Sequence, residues 1–249
     1  MAALPDPSIG APPSEPRPGP AEVRQRWRLT YRRLAEAAPS PSKELIAAWE
    51  SGLAGSGLPL AGLDLPTPRP RLVFAAPLPL GLTADRELLD LFLIARRPIS
   101  IVREAVEGAL PPGHEIVDLH DVWLGEPSLS GQVAAADYRV RVRAADGKAL
   151  DRTTLVDACD ALLRAGSLPR TRDKGGRTVP YDLRPLLAAA SVGIVDPEGR
   201  ATLAIRTRFD PERGVGRPEE VVAAIGELAG RPIDVVDMLR ERLLLAGEL

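Results

Sequence analysis

The spacing of apolar residues switches between a period of two and a period of about 3.6 along this chain, and this alternation restricts the fold class. The stretch DYRVRVRA (137–144) sets Tyr138, Val140 and Val142 against arginines, the pattern of a half-buried strand. The stretch DRTTLVDACDALLRAG (151–166) spaces its apolar residues as an amphipathic helix does. Both patterns recur, so the sequence predicts an α+β protein.

The same order of elements occurs twice. In the first half, a strand, a helix, two strands, a helix and a strand are predicted at 26–34, 42–53, 71–81, 87–95, 99–110 and 114–124. The second half repeats this order at 137–144, 151–166, the hairpin 192–209, 217–230 and 233–245. The apolar spacing of the last segment fits a strand in its first part and a helix in its second.

This repeated order predicts two tandem ferredoxin-like (βαββαβ) domains with antiparallel sheets, at 24–125 and 134–249. Helices would cover one face of each sheet and leave the other face open. Residues 1–23 are predicted to be a disordered tail, because seven prolines lie in the first 20 residues without an apolar segment.

Charge is distributed unevenly, although the formal net charge is only −2. Residues 85–137 carry ten acidic and four basic groups, whereas residues 138–217 carry sixteen basic and ten acidic groups. This asymmetry favours an anionic partner for the second half. Arginine outnumbers lysine 29 to 3, so part of the positive charge can equally be ordinary surface charge.

Basic residues of the second half are predicted to converge on the open face of its sheet, near the basic hairpin PRTRDKGGRT (169–178). Guanidinium groups match phosphate oxygens and stay charged, which favours binding of nucleic-acid phosphates. The alternatives are a solvated surface or a seam between domains, because no exposed aromatic residue accompanies these arginines for base stacking. The candidate nucleic-acid-binding residues are Arg139, Arg141, Arg143, Arg170, Arg172, Lys174, Arg177, Arg206 and Arg208.

Candidates for catalysis or metal binding are few. His114 and His120 would lie roughly 20 Å apart on one strand, too far to share a metal ion. Cys159 falls on the apolar stripe of a helix, which is typical of a core residue. Tyr181 and Asp182 have the chemistry of a proton donor and acceptor, but Asp182 equally suits the N-cap of the next helical turn. We therefore predict neither a catalytic residue nor a metal site.

Four stretches resemble one bacterial family: RWRLTYRR (26–33), RLVFAAPLPLGLTADRELLDLFL (71–93), LPPGHEIVDLHDV (110–122) and RTRDKGGRTVPYDLRPLL (170–187). The family is the uncharacterised radical-SAM-associated domain, which is fused to, or encoded beside, a radical SAM protein. The resemblance covers residues 24–210. The positions that match family-like motifs are Pro77, Leu78, Pro79, Gly81, Glu87, Pro111, Gly113, Arg172, Lys174, Asp182, Arg184 and Pro185.

The resemblance implies a non-catalytic accessory protein. A radical SAM protein would be its partner and would hold the iron–sulfur cluster and S-adenosylmethionine, because the single cysteine here cannot hold a cluster. With the arginines, this predicts a cytoplasmic, membrane-free protein that presents RNA, such as tRNA or rRNA, to the enzyme. The alternatives are a protein–protein adaptor subunit without nucleic-acid binding, and an RNA-processing enzyme of the RAMP type, which the fold resembles by analogy.

Overall fold

The elements predicted for the first half are present, with shifted ends. The computed structural model describes residues 21–37 and 39–249, so most of the tail predicted over 1–23 lies outside the described residues. The predicted extended run over 71–81 is a strand only at its start. The elements of the first half are β1 (Gln25–Arg33), α1 (Ser42–Ala54), β2 (Leu72–Phe74), β3 (Thr83–Leu93), α2 (Ile99–Glu107) and β4 (His114–Val122).

The second half begins after a short helix, α3 (Leu129–Gln132). Its last segment, which fitted both a strand and a helix, is a strand throughout. No helix in the described ranges is long and apolar enough to cross a membrane. The elements are β5 (Val133–Ala144), α4 (Arg152–Arg164), β6 (Pro169–Lys174), β7 (Arg177–Asp182), β8 (Leu187–Val195), β9 (Ala201–Asp210), β10 (Gly214–Val215), α5 (Pro218–Leu228) and β11 (Ile233–Leu245), with 3₁₀ turns at Arg184–Leu186 and Ala246–Glu248.

In the described part of the chain, nine strands form one sheet, in the order β10-β9-β5-β11-β3-β1-β4, with β2 beside β3 and β8 beside β9. All of its pairings are antiparallel except the one between β11 and β3. β6 and β7 form a separate hairpin. The predicted α+β class is therefore confirmed, and the sheet is mostly antiparallel.

The two sheets expected from the sequence are joined at the parallel contact between β3 and β11. β2 has only three residues and pairs with the end of β3, from Leu89 to Leu91. Prolines follow β2 closely and cannot donate a hydrogen bond to a sheet, which explains why the strand is so short. The start of β3 is left uncovered, and there Thr83 and Ala84 lie beside Leu239 and Arg240 of β11.

The described residues form two hydrophobic clusters, one within the first half and one centred on the second half that also includes Ala75 and Ala76 after β2. In the first half, Leu29 of β1 and Trp49 of α1 are buried together with the inner face of α2. In the second half, Val140 of β5 lies in one cluster with Leu162 of α4 and Ile225 of α5. The helices thus cover one face of the sheet. The boundaries at 125 and 134 between two domains stay a prediction.

A buried ion pair lies where β3 and β11 meet. Glu87 of β3 is 2% exposed and Arg240 of β11 is 1% exposed. Two nitrogens of Arg240 donate to the carboxylate of Glu87, at 2.6 and 2.5 Å. Arg240 also donates to the carbonyl oxygens of Pro77 and Ala76, at 3.1 and 3.4 Å. Although burial opposes the charge, Glu87 holds the pKa of Arg240 above its ordinary value. This pair ties both halves and the loop after β2 together.

Replacing Arg240 with Ala should lower the free energy of unfolding by about 3–5 kcal/mol, because the charge of Glu87 would stay buried without a partner. Urea denaturation of the purified protein measures this loss. The matched control is Arg242→Ala, two residues further along β11, where the half-exposed pair with Asp137 is worth at most about 1 kcal/mol. Equal losses in the two variants would contradict a special role for the buried pair.

Candidate nucleic-acid interface

Three arginines of β5 lie in a row on the face of the sheet that the helices leave open. Tyr138, Val140 and Val142 are buried, as the alternation predicts. The side chains between them, Arg139, Arg141 and Arg143, are 50%, 52% and 64% exposed. Two-residue steps along a strand place them about 7 Å apart.

The two predicted arginines of β9 lie on the same open face. Register places Arg206 opposite Asp137 of β5, and Arg208 opposite Ala135. Arg206 binds the carboxylate of Asp137 through two hydrogen bonds, at 2.6 and 2.9 Å. Arg208 donates to the carbonyl oxygens of Pro185 and Leu187, at 3.1 Å each. The structure thus brings together all five sheet arginines predicted from the sequence.

Carboxylates of β11 face the β5 arginines, and sequence reasoning missed them. Arg141 forms an ion pair with Asp237. Arg143 lies 3.7 Å from Asp234, and Arg139 lies 3.0 Å from Glu241. Arg139 also reaches Asp85 of β3 in the first half, at 3.6 Å. The open face is therefore a ladder of opposite charges rather than a purely positive surface. These acidic residues are spaced by three and four along 233–245, which is not strand alternation, and they share a face only because the register shifts after Val235 and after Arg240.

Asp137 of β5 also belongs to this ladder, and two arginines share its carboxylate. Asp137 accepts hydrogen bonds from Arg206 of β9 and, at 2.9 Å, from Arg242 of β11. Partial burial raises the pKa of Asp137, but the two guanidinium groups outweigh this and hold it below its ordinary value. Two arginines thus face one carboxylate, so some positive charge is left over at this point of the face.

In the basic hairpin of β6 and β7, some of the charged side chains contact the rest of the protein and others are exposed to solvent. Arg170 is only 16% exposed and binds Glu227 of α5 at 2.9 Å. The guanidinium of Arg172 lies over the ring of Tyr181, 5.2 Å from its centre. Arg177 is exposed at the turn. The side chain of Lys174 lies outside what the structure describes. The inner arginines therefore dock the hairpin, which is neither a free cluster of four cations nor simply a solvated tip.

Two charged family-motif residues hold the chain after the hairpin in place. The carboxylate oxygen Oδ1 of Asp182 accepts the backbone N–H groups of Leu168 at 2.7 Å and Arg184 at 2.9 Å. The guanidinium of Arg184 donates to the carbonyl oxygens of Leu163, Ala165 and Leu187, at 2.7, 3.1 and 3.0 Å. Two of these carbonyls belong to the end of α4. Asp182 thus holds the chain just before a 3₁₀ turn that contains Pro185, but the N-cap of that turn is Leu183, and not Asp182 as the sequence had suggested.

The family-motif residues near β3 have structural contacts as well. Pro77 offers its carbonyl oxygen to Arg240, which pairs with Glu87. The carbonyl oxygen of Leu78 accepts the hydroxyl of Ser42 at the start of α1, at 3.1 Å. Pro79 continues the loop, and Gly81 has a φ of 80°, which favours glycine. These positions shape the loop between β2 and β3, which contacts Arg240 of the second half.

The remaining chemical candidates lie apart from one another. His114 is buried, and burial lowers its pKa. His120 is exposed and lies 3.0 Å from Asp118. Burial raises the pKa of Cys159 to about 11, so the thiol is suited to the core and not to nucleophilic chemistry. The hydroxyl of Tyr181 has no hydrogen-bond partner among the described residues. No cluster of three metal-ligating side chains occurs in the described part of the chain.

Replacing Asp182 with Ala should lower the free energy of unfolding by about 1 kcal/mol at pH 7, because two backbone N–H groups lose their acceptor. The N–H of Leu168, followed by that of Arg184, holds the pKa of Asp182 below its ordinary value. The carboxylate therefore stabilises the fold above about pH 4, and this contribution is lost as the pH falls through the lowered pKa.

Urea denaturation between pH 7 and pH 3 should show the difference between wild type and the Asp182 variant narrowing with acid. Asp160→Ala is the control, since the exposed side chain of this α4 residue forms no hydrogen bond or ion pair with other described residues and its loss should change stability by less than about 0.5 kcal/mol. A difference independent of pH would contradict the role assigned to the carboxylate.

Comparison with solved structures gives matches at low sequence identity. A chain of a Cbf5–Nop10–Gar1 complex is 9% identical, with a TM-score of 0.49 over 86% of this chain and 49% of that chain. A chain of the archaeal box H/ACA sRNP Nop10–Cbf5 complex is also 9% identical, with a TM-score of 0.44 over 85% and 47%. The protein thus spans about half the length of these chains. Curated protein sequences give no match. A family model matches residues 26–213, and the chain belongs to that family, described as an uncharacterized protein conserved in bacteria (DUF2344).

Proposed function

We propose that this protein binds RNA phosphates on the open face of its second half. The observation that carries the proposal is the row of half-exposed guanidinium groups on β5, with Arg206 and Arg208 beside it. The row has a regular spacing of about 7 Å, which an extended nucleic-acid strand can follow. No helix among residues 21–37 and 39–249 covers it, which leaves it accessible to phosphates.

The carboxylates of β11 do not prevent such binding. Exposed ion pairs contribute only about 0–1 kcal/mol, so a phosphate can replace a carboxylate at little cost. Arginine forms two parallel hydrogen bonds with a phosphate, which adds to the attraction between the charges. The same carboxylates reduce the affinity for any polyanion, which favours weak, salt-sensitive binding that suits the handing over of a substrate.

In this proposal the protein presents RNA, such as tRNA or rRNA, to a radical SAM enzyme in the cytoplasm. The support is the resemblance of its motifs to the radical-SAM-associated domain. The iron–sulfur cluster and S-adenosylmethionine are assigned to the partner, because a cluster takes several thiolates and this chain has one cysteine, Cys159. Accessory binding, rather than catalysis, is the role assigned to the chain itself.

We also propose that the two halves are tandem ferredoxin-like units fused along one edge. The strand orders support this: β4-β1-β3 with β2 beside β3 in the first half, and β11-β5-β9-β8 in the second. Each half then has the order of a βαββαβ unit, and the open faces of the two units adjoin where Arg139 meets Asp85.

A protein–protein adaptor is the second candidate, and the charge ladder favours it. A face on which arginines and carboxylates alternate is well suited to a partner with a matching pattern. In that case Arg141 and Asp237 would both bind the partner, and loss of either would weaken the complex.

Filter binding of RNA across a salt series tests the proposal. Replacing Arg139, Arg141 and Arg143 with Ser should flatten the dependence of log affinity on log salt by about 2 units on single strands and nearly 3 on duplex, at about 0.7 and 0.9 per contact. Circular dichroism should show an unchanged fold, since exposed substitutions usually cost within about 0.5 kcal/mol each. No RNA affinity at low salt, or an unchanged slope, would overturn the proposal.

Removing carboxylates from the ladder, instead of arginines, distinguishes RNA binding from the adaptor function. Asp234→Asn with Asp237→Asn removes two negative charges from the same face and should strengthen RNA binding severalfold, because the guanidinium groups of Arg141 and Arg143 are released. If the face instead binds a protein partner, the double variant should weaken binding rather than strengthen it. In that case the double variant should weaken capture of a radical SAM protein from host extract, and RNA affinity should be negligible throughout.

A further inference from the structure

A cavity of about 500 Å³ lies between the sheet face of β3, β1 and β4 and the end of β11. Its volume is within the range of small-molecule sites. It is separate from the β5 arginines and from the hairpin. We call it the central cleft, and it is lined by Arg28, Thr30, Arg86, Leu88, Asp118, His120, Arg242, Leu243, Leu245 and Glu248.

The sheet register arranges the polar wall of the cleft. Thr30 of β1 pairs with Leu88 of β3 on one side and with Asp118 of β4 on the other. These three side chains therefore lie in one row across the sheet. In the next row Arg28 pairs with His120, and its guanidinium is held by the buried carboxylate of Asp90 at 2.8 Å. Arg28 is thus a fixed part of the wall.

Positive charge collects at the side of the cleft where β3 meets β11. Arg86 and Arg242 lie two residues beyond Ala84 and Arg240, the last pair of the parallel contact. The side chain of Arg86 forms no hydrogen bond or ion pair with another residue in the described ranges. Arg242 shares one carboxylate with Arg206, so neither of the two guanidinium groups on this side of the cleft is fully compensated.

The far side of the cleft is acidic. Asp118 lies two strands away from β3, about 10 Å, and the hydrogen bond from His120 holds its pKa below the ordinary value. The carboxylate therefore only accepts hydrogen bonds at neutral pH. Leu88 of β3, two residues from Arg86 and in the same row as Asp118, adds apolar surface to the lining, as does Leu245 of β11. Glu248 also lines the cleft, and its Oε2 already accepts the N–H of Leu245 at 2.7 Å.

A ligand that matches this arrangement has an anion at one end, a flat apolar body, and a hydrogen-bond donor at the other end. We propose that the central cleft binds a nucleoside monophosphate unit whose base carries an exocyclic amino group. The phosphate lies against Arg86 and Arg242, and the amino group donates to Asp118. A free nucleotide and a nucleotide of an RNA strand share this chemistry. The proposal adds a site to the protein and does not rest on the β5 arginines.

Isothermal titration of the full chain with AMP, UMP and inorganic phosphate tests the cleft. AMP should bind more tightly than either of the others, because uracil offers a carbonyl oxygen where adenine offers an amino group. Arg86→Ala should weaken AMP binding at least about tenfold, since hydrogen bonds between charged groups are lost. Arg164→Ala, at an exposed arginine of α4, is the matched control and should leave the affinity unchanged.

Two further variants test the contact between Asp118 and the base, and the independence of the cleft from the β5 arginines. Asp118→Asn should abolish the preference for AMP over UMP, because an amide both accepts and donates hydrogen bonds. Replacing Arg139, Arg141 and Arg143 with Ser should leave AMP affinity unchanged, so a failure of the RNA proposal does not affect this test.

A short single-stranded oligoadenylate distinguishes the two sources of the nucleotide. Binding of the oligomer but not of AMP, sensitive to Arg86→Ala, assigns the cleft to an RNA strand and supports the proposal. Absence of binding by both ligands overturns it. So do equal effects of Arg86→Ala and Arg164→Ala, because the loss would then reflect general charge rather than the cleft.

Discussion

The whole arrangement depends on one buried ion pair, between Glu87 and Arg240. β3 and β11 share only two residue pairs in register, too few hydrogen bonds to join two sheets firmly. The charges of Glu87 and Arg240 are costly to bury singly, so each requires the other in place. The carbonyl oxygens of Ala76 and Pro77 complete the shell around Arg240, and they bring the loop after β2 into the same contact. The same ion pair therefore fixes both the contact between the two halves and the shape of this loop.

The open face and the central cleft use arginine in different ways. On the open face, each arginine of β5 has a carboxylate neighbour that is itself half exposed, so the pairs are weak and exchangeable. Beside the cleft, Arg28 is fixed by Asp90, which is fully buried, while Arg86 has no partner in the described residues. Fixed arginines shape a wall, and unpaired arginines attract a ligand. The number of arginines in the sequence does not distinguish these roles, but burial and pairing do.

Sequence patterns predicted the individual strands and helices well, but they did not predict which strands far apart in the sequence lie side by side. Strict alternation in DYRVRVRA identified the exposed arginines of β5, and the capped helix at 151–166 appears as α4. The end of the chain was ambiguous because its apolar residues run together in RLLL, and without that strand the facing carboxylates had no predicted place. Glu87 gave no sign of its role, since its partner lies 153 residues away. The cleft was missed for the same reason, because strands far apart in sequence line it.

The position of β11 has a consequence for how the protein folds as it is synthesised. This strand comes last in the described chain, yet it lies in the middle of the sheet, between β5 and β3. Until it emerges from the ribosome, both neighbours present unpaired edges, and such edges are where nascent chains pair wrongly with one another. Its contacts also join residues far apart in sequence, which makes folding slow. The central pairings of the sheet can therefore form only after residues 233–245 have been synthesised.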